Sequence, residues 1–251
     1  MENKVACIIL AAGLGTRMKS KKAKVLHTLL DIPMVLYVVE TANKIAGDDI
    51  IIVVGHQAET VKEVINNQFR ATFIYQEEQL GTGHAVMCAM DALPKDVEEV
   101  LILCGDVPLL SQETLDLLLH QHIEEKRDAS VLAVSVDNPT GYGRIILDSK
   151  NQLAGIVEEA DANTKEKAIS LINSGIYCIK KSFLTENLNR IESNNAQNEY
   201  YLTDVIKIGY NFKKSIGVVI GSSQEEIIGI NSPNELKRAE SILRDRKREN
   251  S

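Results

Sequence analysis

The chain has 251 residues, 44% of them hydrophobic and 25% charged, which is the composition of a globular protein with one sizeable core. Its net charge of −7 argues against nucleic-acid binding, and no apolar run approaches the ~20 residues that a membrane helix needs. Because the N-terminus shows no signal-peptide pattern, we expect a cytoplasmic protein with neither membrane nor nucleic-acid partners.

The first half of the chain alternates between apolar strands and helical patterns. Continuous apolar runs predict buried strands at Val5–Leu10, Ile50–Val54, Thr72–Tyr75, Val100–Leu103 and Ala129–Val136. Start and stop signals predict helices at Pro33–Ala46, His84–Ala92 and Ser111–Lys126. This alternation is typical of an α/β fold with a doubly wound, mostly parallel sheet.

The second half is less regular. We expect a hairpin and three further strands at Arg144–Leu147, Leu153–Val157, Ile172–Ile179, Ile216–Ile220 and Glu226–Ile230. Helices are predicted at Phe183–Glu192, Tyr200–Tyr210 and Glu235–Arg248. Since no linker rich in Pro, Gly or Ser interrupts the chain, we expect one domain over 1–231, with lobes of roughly 1–110 and 111–231, and a C-terminal helical arm over 232–251.

A loop of small residues, Leu10–Met18, follows the first strand. Successive backbone N–H groups in such a turn form an anion-binding nest, and ligands of open α/β sheets bind beyond the carboxyl ends of the strands. The loop lacks the third glycine of the dinucleotide fingerprint and the Gly-Lys-Ser/Thr of the P-loop. Five basic side chains lie within residues 17–24, of which Arg17 and Lys24 can reach back over a triphosphate. A small anionic ligand is therefore expected here, although a plain strand-to-helix turn is the alternative.

Three other segments place polar side chains at strand ends. In Gln76–His84, a glutamine amide offers the donor and acceptor that the edge of uracil requires, although a helix cap at Thr82 is the simpler interpretation. Asp106 follows a buried strand and suits Mg²⁺, which takes one or two carboxylates plus phosphate oxygens; a turn-forming aspartate is the alternative. Gly143, Glu158 and Asn173 suit sugar hydroxyls, but each is also ordinary at the surface.

The string Leu10–Met18 followed by Lys24–His27 resembles the signature of the sugar-phosphate nucleotidylyltransferases, and of the bacterial N-acetylglucosamine-1-phosphate uridylyltransferases in particular. The resemblance extends through Gln76–His84, the segment around Asp106 and Asn198–Asp204. It implies a Rossmann-like, GT-A-like nucleotidyltransferase domain with a nucleotide lobe and a smaller sugar lobe. The implied reaction transfers UMP from UTP to N-acetylglucosamine 1-phosphate with Mg²⁺, giving pyrophosphate and UDP-N-acetylglucosamine, a precursor of peptidoglycan and lipopolysaccharide.

The same resemblance implies roles for individual residues. Arg17 and Lys24 would be catalytic, and Asp106 and Asn231 would hold the metal, although Asn231 is otherwise a candidate helix cap. Gly143, Glu158 and Asn173 would contact the sugar. The nucleotide would be contacted by Leu10, Ala11, Ala12, Gly13, Gly15, Thr16, Gln76, Gly81, Thr82, Cys104 and Gly105.

The chain departs from the family pattern at two positions and in its length. Ala23 stands where the family usually has proline, and Asn198 where it usually has glycine. Complete members continue into a β-helix of hexapeptide repeats that forms trimers. No such repeat is present in this sequence. We therefore expect a trimer only if that domain is attached, and other homo-oligomers stay as alternatives. Alternative functions are a related transferase with another sugar or nucleotide, and a non-catalytic sugar-nucleotide sensor.

Overall fold

The computed structural model describes residues 4–227 and 229–249. The strands, in chain order, are β1 Val5–Ala11, β2 Thr28–Leu29, β3 Ile32–Pro33, β4 Ile50–Val54, β5 Thr72–Tyr75, β6 Glu99–Cys104, β7 Ala129–Ser135, β8 Arg144–Leu147, β9 Leu153–Val157, β10 Leu171–Lys180 and β11 Ile216–Ile220. The helices are α1 Met34–Ala46, α2 Ala58–Asn66, α3 Thr82–Ala89, α4 Gln112–Glu124, α5 Thr164–Lys167, α6 Lys181–Asn187, α7 Asp204–Asn211 and α8 Pro233–Glu249. Short 3₁₀ turns lie at Thr16–Met18, Lys24–Leu26, Met90–Ala92, Leu188–Arg190 and Gln224–Glu226.

One large sheet organises these elements in the order β11-β7-β10-β6-β1-β4-β5, with β8 and β9 attached beside β10. The strands β6, β1, β4 and β5 are mutually parallel, whereas β10 runs antiparallel between β6 and β7. Leu10 is in register with Val53 on one side and Cys104 on the other. The carboxyl ends of β1, β4 and β6 therefore meet at one edge of the sheet.

Both faces of the sheet are covered, which explains the continuous apolar strands. Alternate residues of β1 pack into two different cores: Cys7 and Ile9 contact the layer that contains α1, while Ala6 and Ile8 contact the layer that contains α3. A third, smaller core joins α8 to Leu29 in β2. None of the helices within 4–227 and 229–249 is long and apolar enough to cross a bilayer.

Most of the predicted elements are confirmed within a few residues, and the mostly parallel α/β fold is confirmed. The strand expected over Glu226–Ile230 is wrong for the described part of that segment. Glu226 ends a 3₁₀ turn, and Ile230 donates its backbone N–H to the carbonyl of Asp106 at 2.9 Å instead of joining a ladder. The apolar residues Ile227 and Ile230 are buried as they would be in a strand.

Two other predictions need correction. The helix expected from Tyr200 begins only at Asp204, because the backbone of Tyr200 is bonded to Leu80 and Gly83 across the molecule. Helix α2 (Ala58–Asn66) was not predicted at all. By contrast, Ser111 caps α4 as expected, since its side chain accepts the N–H of Thr114 at 3.2 Å.

Candidate active site

The glycine loop after β1 is held by close backbone contacts. Gly15 has a φ of +67°, and a Cβ at this position would lie 2.5 Å from the Cβ of Lys24, so only glycine fits without displacement. The carbonyl of Ala12 accepts a hydrogen bond from Nε2 of Gln79 at 2.9 Å. Thr16 opens the 3₁₀ turn that follows, and its side chain lies outside the described residues. The loop therefore has a fixed course beside Lys24.

Ala23 has a backbone that proline could also adopt, with a φ of −53°. Its N–H donates to Oε1 of Gln57 at 2.7 Å, and Gln57 itself lies in the left-handed region with a φ of 54°. Proline has no N–H and could not make this bond. Where the family has the fixed φ angle of proline, this chain thus has a hydrogen bond from Ala23 to Gln57 at the start of α2.

Two cations and two oxygen-bearing side chains converge at the end of β6. The ammonium of Lys24 contacts the carboxylate of Asp106 and lies 2.5 Å from Oδ1 of Asn231. Nη2 of Arg17 lies 2.7 Å from the same Oδ1. Because Nδ2 of Asn231 donates to the carbonyl of Gly229, its oxygen is the atom that faces the cations. These four side chains form one cluster, although Arg17 and Asn231 are 214 residues apart in the sequence.

The donor set of this cluster fits a magnesium ion. A carboxylate of Asp106 and an amide oxygen of Asn231 already meet at one cation, the ammonium of Lys24. Mg²⁺ prefers oxygen ligands and is typically held by one or two carboxylates together with phosphate oxygens and water. Asp106 and Asn231 are therefore the residues that would hold the ion, beside the glycine loop that suits the phosphates.

A second group of side chains with potential metal-ligand atoms lies elsewhere in the described chain. Ligand atoms of Glu99, His122 and Cys178 lie within 4.8 Å of one another, and all three residues are buried. Both ring nitrogens of His122 are engaged, one with Ser130 and one with Glu99, each at 2.9 Å. We interpret this group as a satisfied polar network that joins α4 to the sheet.

The predicted uracil loop, Gln76–His84, is hydrogen-bonded to a segment far along the chain, at Tyr200 and Leu202. The carbonyl of Tyr200 accepts the N–H of Gly83, the N–H of Tyr200 donates to Leu80, and the hydroxyl oxygen of Thr82 accepts the N–H of Leu202 at 3.0 Å. Gly81 has a φ of +108°, and a Cβ there would lie 2.7 Å from the carbonyl of Tyr200. Thr82 is not the N-cap of α3; Gly81 holds that position.

The segment that fastens this loop begins at Asn198, which has a φ of 54°. Asparagine is among the few residues other than glycine that tolerate this conformation, which explains the substitution of the usual glycine. Further along, the hydroxyl of Thr203 donates to Glu158 at 3.1 Å. The segment therefore connects the uracil loop to the predicted sugar residues; its structural role near the sugar was expected from the sequence, whereas its bonds to the uracil loop were not.

The three predicted sugar residues lie together. A Cβ at Gly143 would be 3.3 Å from Oε2 of Glu158 and 3.5 Å from Cβ of Asn173. The N–H of Asn173 donates to the carbonyl of Gly143 at 2.9 Å. Its side-chain oxygen accepts the N–H of Gly175 at 3.0 Å, at a bulge in β10 that packs on the thiol of Cys104. The sugar residues thus reach the end of β6, close to Asp106.

Two ionisable side chains near these residues are perturbed. Burial raises the pKa of Glu158, an effect that the neighbouring carboxylates of Asp204, Asp161 and Glu199 reinforce and the hydrogen bond from Thr203 opposes. Burial also raises the pKa of Tyr177, which remains a neutral phenol that accepts a hydrogen bond from Asn173 at 2.8 Å. Glu158 is therefore more easily protonated than an exposed glutamate.

A buried ion pair supports the loop that carries Gly143. Arg144 is 1% exposed, contacts the carbonyl of Tyr142, and lies 2.6 Å from Oε2 of Glu159. The same oxygen accepts the N–H of Gly141 at 3.2 Å. The hydrogen bond from Arg144 holds the pKa of Glu159 below its ordinary value. Sequence reasoning missed this pair because a buried arginine carries no local signal.

One cavity of about 320 Å³ unites the nucleotide residues. Its lining includes the predicted residues Leu10, Ala11, Ala12, Gly13, Lys24, Gln76, Gly81, Thr82, Cys104 and Asp106, together with Gln79 and Glu199. The predicted nucleotide residues Gly15 and Gly105 lie outside this lining: Gly15 packs on Lys24, and the N–H of Gly105 donates to the carbonyl of Leu10 at 2.9 Å. A larger cleft beside β11 is lined by charged residues such as Glu125, Arg127 and Lys150, but by none of the residues predicted to bind the nucleotide.

A family model described as nucleotidyl transferase matches residues 6–247, nearly the whole chain. The chain belongs to the nucleotidyl transferase family. Two relatives are both named bifunctional protein GlmU. The one from Clostridioides difficile is 48% identical over 239 residues, which are 95% of this chain and 51% of that protein. The one from Desulfotalea psychrophila is 42% identical over 246 residues, which are 98% of this chain and 72% of that protein. The chain therefore spans about half the length of the relative from Clostridioides difficile and of a similar one from Caldanaerobacter subterraneus.

A solved structure from Bacillus anthracis has the same fold. It is described as a glucose-1-phosphate thymidylyltransferase in complex with a sucrose, and it superposes with a TM-score of 0.73 at 22% identity over 96% of each chain. At this identity the likeness establishes the fold of the transferase and no more. The residues that sequence reasoning missed in the transferase are those that hold the site in place: Gln57, Gln79, His84, Arg144 and Glu159.

Proposed function

We propose that this transferase joins UMP from UTP to N-acetylglucosamine 1-phosphate with Mg²⁺, forming UDP-N-acetylglucosamine and pyrophosphate. The observation that carries the proposal is the position of Lys24, between the oxygens of Asp106 and Asn231 and on the wall of the cavity that Gln76 also lines. The choice of uracil and of the acetylated sugar follows from the resemblance to the bacterial uridylyltransferases.

The site has the chemistry that such a transfer needs. A sugar 1-phosphate has a second pKa of about 6, like other phosphate monoesters, so it is mostly a dianion at neutral pH and needs no general base. The protein has to align this dianion with the α-phosphorus of UTP and neutralise charge. Lys24 would stabilise the α-phosphate and Arg17 the β- and γ-phosphates as pyrophosphate leaves in line.

The metal would be held by Asp106 and Asn231. When bound, Mg²⁺ would supply positive charge that offsets the negative charge developing on the phosphates. The chain itself supplies the remaining groups: N–H donors of the glycine loop near the phosphates, and the two cations Arg17 and Lys24. These roles depend on side chains that already lie within hydrogen-bond distance of one another.

The sugar would bind between the two lobes, with roughly 1–110 holding the nucleotide and 111–231 the sugar. Gly143 leaves space beside Glu158, and Asn173 presents an amide there. Burial raises the pKa of Glu158, and its carboxylate oxygens can accept hydrogen bonds from sugar hydroxyl groups. In the arm expected over 232–251, helix α8 (Pro233–Glu249) contacts both parts of the chain: Arg246 donates to the carbonyl of Leu109 and pairs with Glu226.

The proposed product would serve as a precursor of peptidoglycan and lipopolysaccharide, and we place the reaction in the cytoplasm. Homo-oligomers are compatible with the proposal. A trimer is expected only for a chain that also carries the hexapeptide-repeat domain.

Pyrophosphate release from the purified chain tests this function. With Mg²⁺, we expect release only when UTP and N-acetylglucosamine 1-phosphate are both present. Glucose 1-phosphate, CTP, dTTP and ATP serve as substituted substrates. Release with another pair would replace the substrate, and a folded protein that binds a sugar nucleotide without releasing pyrophosphate would contradict the proposed enzyme.

A further inference from the structure

The amide of Gln76 is held in one orientation by two acceptors. Nε2 lies 3.2 Å from the carbonyl of Gly81 and 3.0 Å from Nδ1 of His84. A carbonyl can only accept, so the atom facing Gly81 has to be the nitrogen of the amide. The same nitrogen faces His84, and therefore Nδ1 of the neutral imidazole accepts as well. Both hydrogens of Nε2 are used, so the amide offers a base only its oxygen; the expectation that it supplies both a donor and an acceptor to uracil is wrong.

The tautomer of His84 follows from this bond. If Nδ1 accepts, the proton of the neutral ring is on Nε2, and that nitrogen lies 3.7 Å from the thiol of Cys88, one helical turn later in α3. The ring also lies beside that of Tyr200, with centroids 6.4 Å apart. The carbonyl of Gly81 belongs to the backbone and always accepts. Of the two acceptors that hold the Gln76 amide, His84 is therefore the one that a substitution can remove.

The remaining atom of the amide faces the cavity. Gln76 is 4% exposed yet lines the nucleotide cavity, and no described residue donates to its Oε1. An oxygen in this position accepts the N3–H of uracil. Cytosine has an unprotonated N3, which is itself an acceptor, so the fixed oxygen repels it. Turning the amide to suit cytosine would place Oε1 against the carbonyl of Gly81, and also against Nδ1 of His84 for as long as the ring keeps its proton on Nε2.

We propose that His84 is a positioning residue that fixes the Gln76 amide and thereby selects uracil over cytosine. This inference rests on the proposed uridylyl transfer, but it concerns a residue that touches neither phosphate nor sugar. It predicts that discrimination between the bases depends on an acceptor at the position of Nδ1, and that this dependence acts entirely through Gln76.

Four variants test this chemistry. His84→Leu removes the acceptor and leaves one buried N–H of Gln76 without a partner. His84→Asn keeps an oxygen near the position of Nδ1 and is the conservative rescue. Gln76→Ala/His84→Leu, compared with Gln76→Ala alone, shows whether His84 has any effect when the amide is absent. Thermal unfolding of each variant verifies that it is folded.

The first readout is binding of UTP and of CTP by titration calorimetry without sugar phosphate, which does not require turnover. The ratio of the dissociation constants for CTP and UTP should fall about tenfold in His84→Leu, as the loss of a buried hydrogen bond predicts, and stay within about threefold of the original in His84→Asn. In the Gln76→Ala background the further change should be below about twofold.

Turnover separates this inference from the proposed function. In His84→Leu we expect the KM for UTP to rise while kcat changes little, because the groups around the phosphates are untouched. An original chain that binds UTP but releases no pyrophosphate would overturn the proposed function alone. A folded His84→Leu with the original CTP-to-UTP ratio, or with an equal loss in the Gln76→Ala background, would overturn the role of His84.

Discussion

The phosphate end and the sugar end of the site are built in different ways. At the phosphate end, Asp106 closely follows β6, Lys24 lies in a 3₁₀ turn of the loop after β1, and Gly15 is required by a close approach to Lys24. At the sugar end, Gly143, Glu158 and Asn173 come from three elements and meet through a bulge and a buried ion pair. The phosphate end is carried mainly by local motifs, to which Asn231 is added from far along the chain, whereas the sugar end is a property of the assembled fold.

The largest effect is expected from Asp106→Ala, which removes the carboxylate of the phosphate end. The loss of one preorganised electrostatic group typically lowers kcat by about 10²–10³-fold. We expect a loss of this size at saturating Mg²⁺, measured as pyrophosphate release, with little change in thermal unfolding. Asp91→Ala, which removes an exposed carboxylate beyond α3, is the matched control and should keep its activity. Normal Mg²⁺-dependent turnover in Asp106→Ala would remove the basis of the metal assignment.

Glu159→Ala is the corresponding change at the sugar end, and its effect should be on stability. It leaves Arg144, 1% exposed, without its carboxylate partner. Breaking a buried pair costs roughly 3–5 kcal/mol; because Glu159 is itself about a third exposed, we expect about 2 kcal/mol. Denaturant unfolding measures this loss, and Glu124→Ala, at an exposed pair, should change little.

The KM values of Glu159→Ala for its two substrates test whether the phosphate end and the sugar end act independently. Since Glu159 also holds the N–H of Gly141 near Gly143, the KM for the sugar phosphate should rise while the KM for UTP stays nearly constant. An equal rise in both constants would show that the two ends are not independent.

Glu158→Gln should give a smaller effect that depends on pH. Burial raises the pKa of Glu158, so below its ordinary value of 4.5 the carboxyl is protonated in both folded and unfolded chains, and no penalty exists. As the pH rises from there through the raised value, the folded state loses stability because the unfolded state ionises more easily. The melting temperature of Glu158→Gln should therefore equal that of the original at low pH and exceed it at pH 8. A constant difference at all pH values would contradict the shift.

The same contrast explains what the sequence could predict. Asp106 and Lys24 were identifiable because each lies in a short motif next to a buried strand. Asn231 was identified only through the family resemblance, and the strand expected before it is wrong because Ile230 bonds to Asp106 rather than to a neighbouring strand. The start of α7 and the bulge after Asn173 depend on contacts between residues far apart in the chain, which periodicity does not report.

The smallest effect is expected for Ala23→Pro. The φ of −53° suits proline and its lower chain entropy adds stability, but the hydrogen bond to Gln57 is lost. These contributions are each about 1 kcal/mol and opposite in sign, so the free energy of unfolding should change by less than about 1 kcal/mol. Gln57→Ala alone should destabilise the chain, and adding it to Ala23→Pro should have little further effect. Full additivity of the two changes would contradict the role assigned to this bond.

The most direct test of the central claim is phosphorus NMR of one reaction containing UTP, N-acetylglucosamine 1-phosphate, Mg²⁺ and the chain. If Lys24, Arg17, Asp106 and Asn231 align the sugar phosphate with UTP, one UDP-sugar should appear for each pyrophosphate, and none should appear with Asp106→Ala. Hydrolysis of UTP to UMP without a sugar diphosphate, or product formation that does not depend on Asp106, would contradict it.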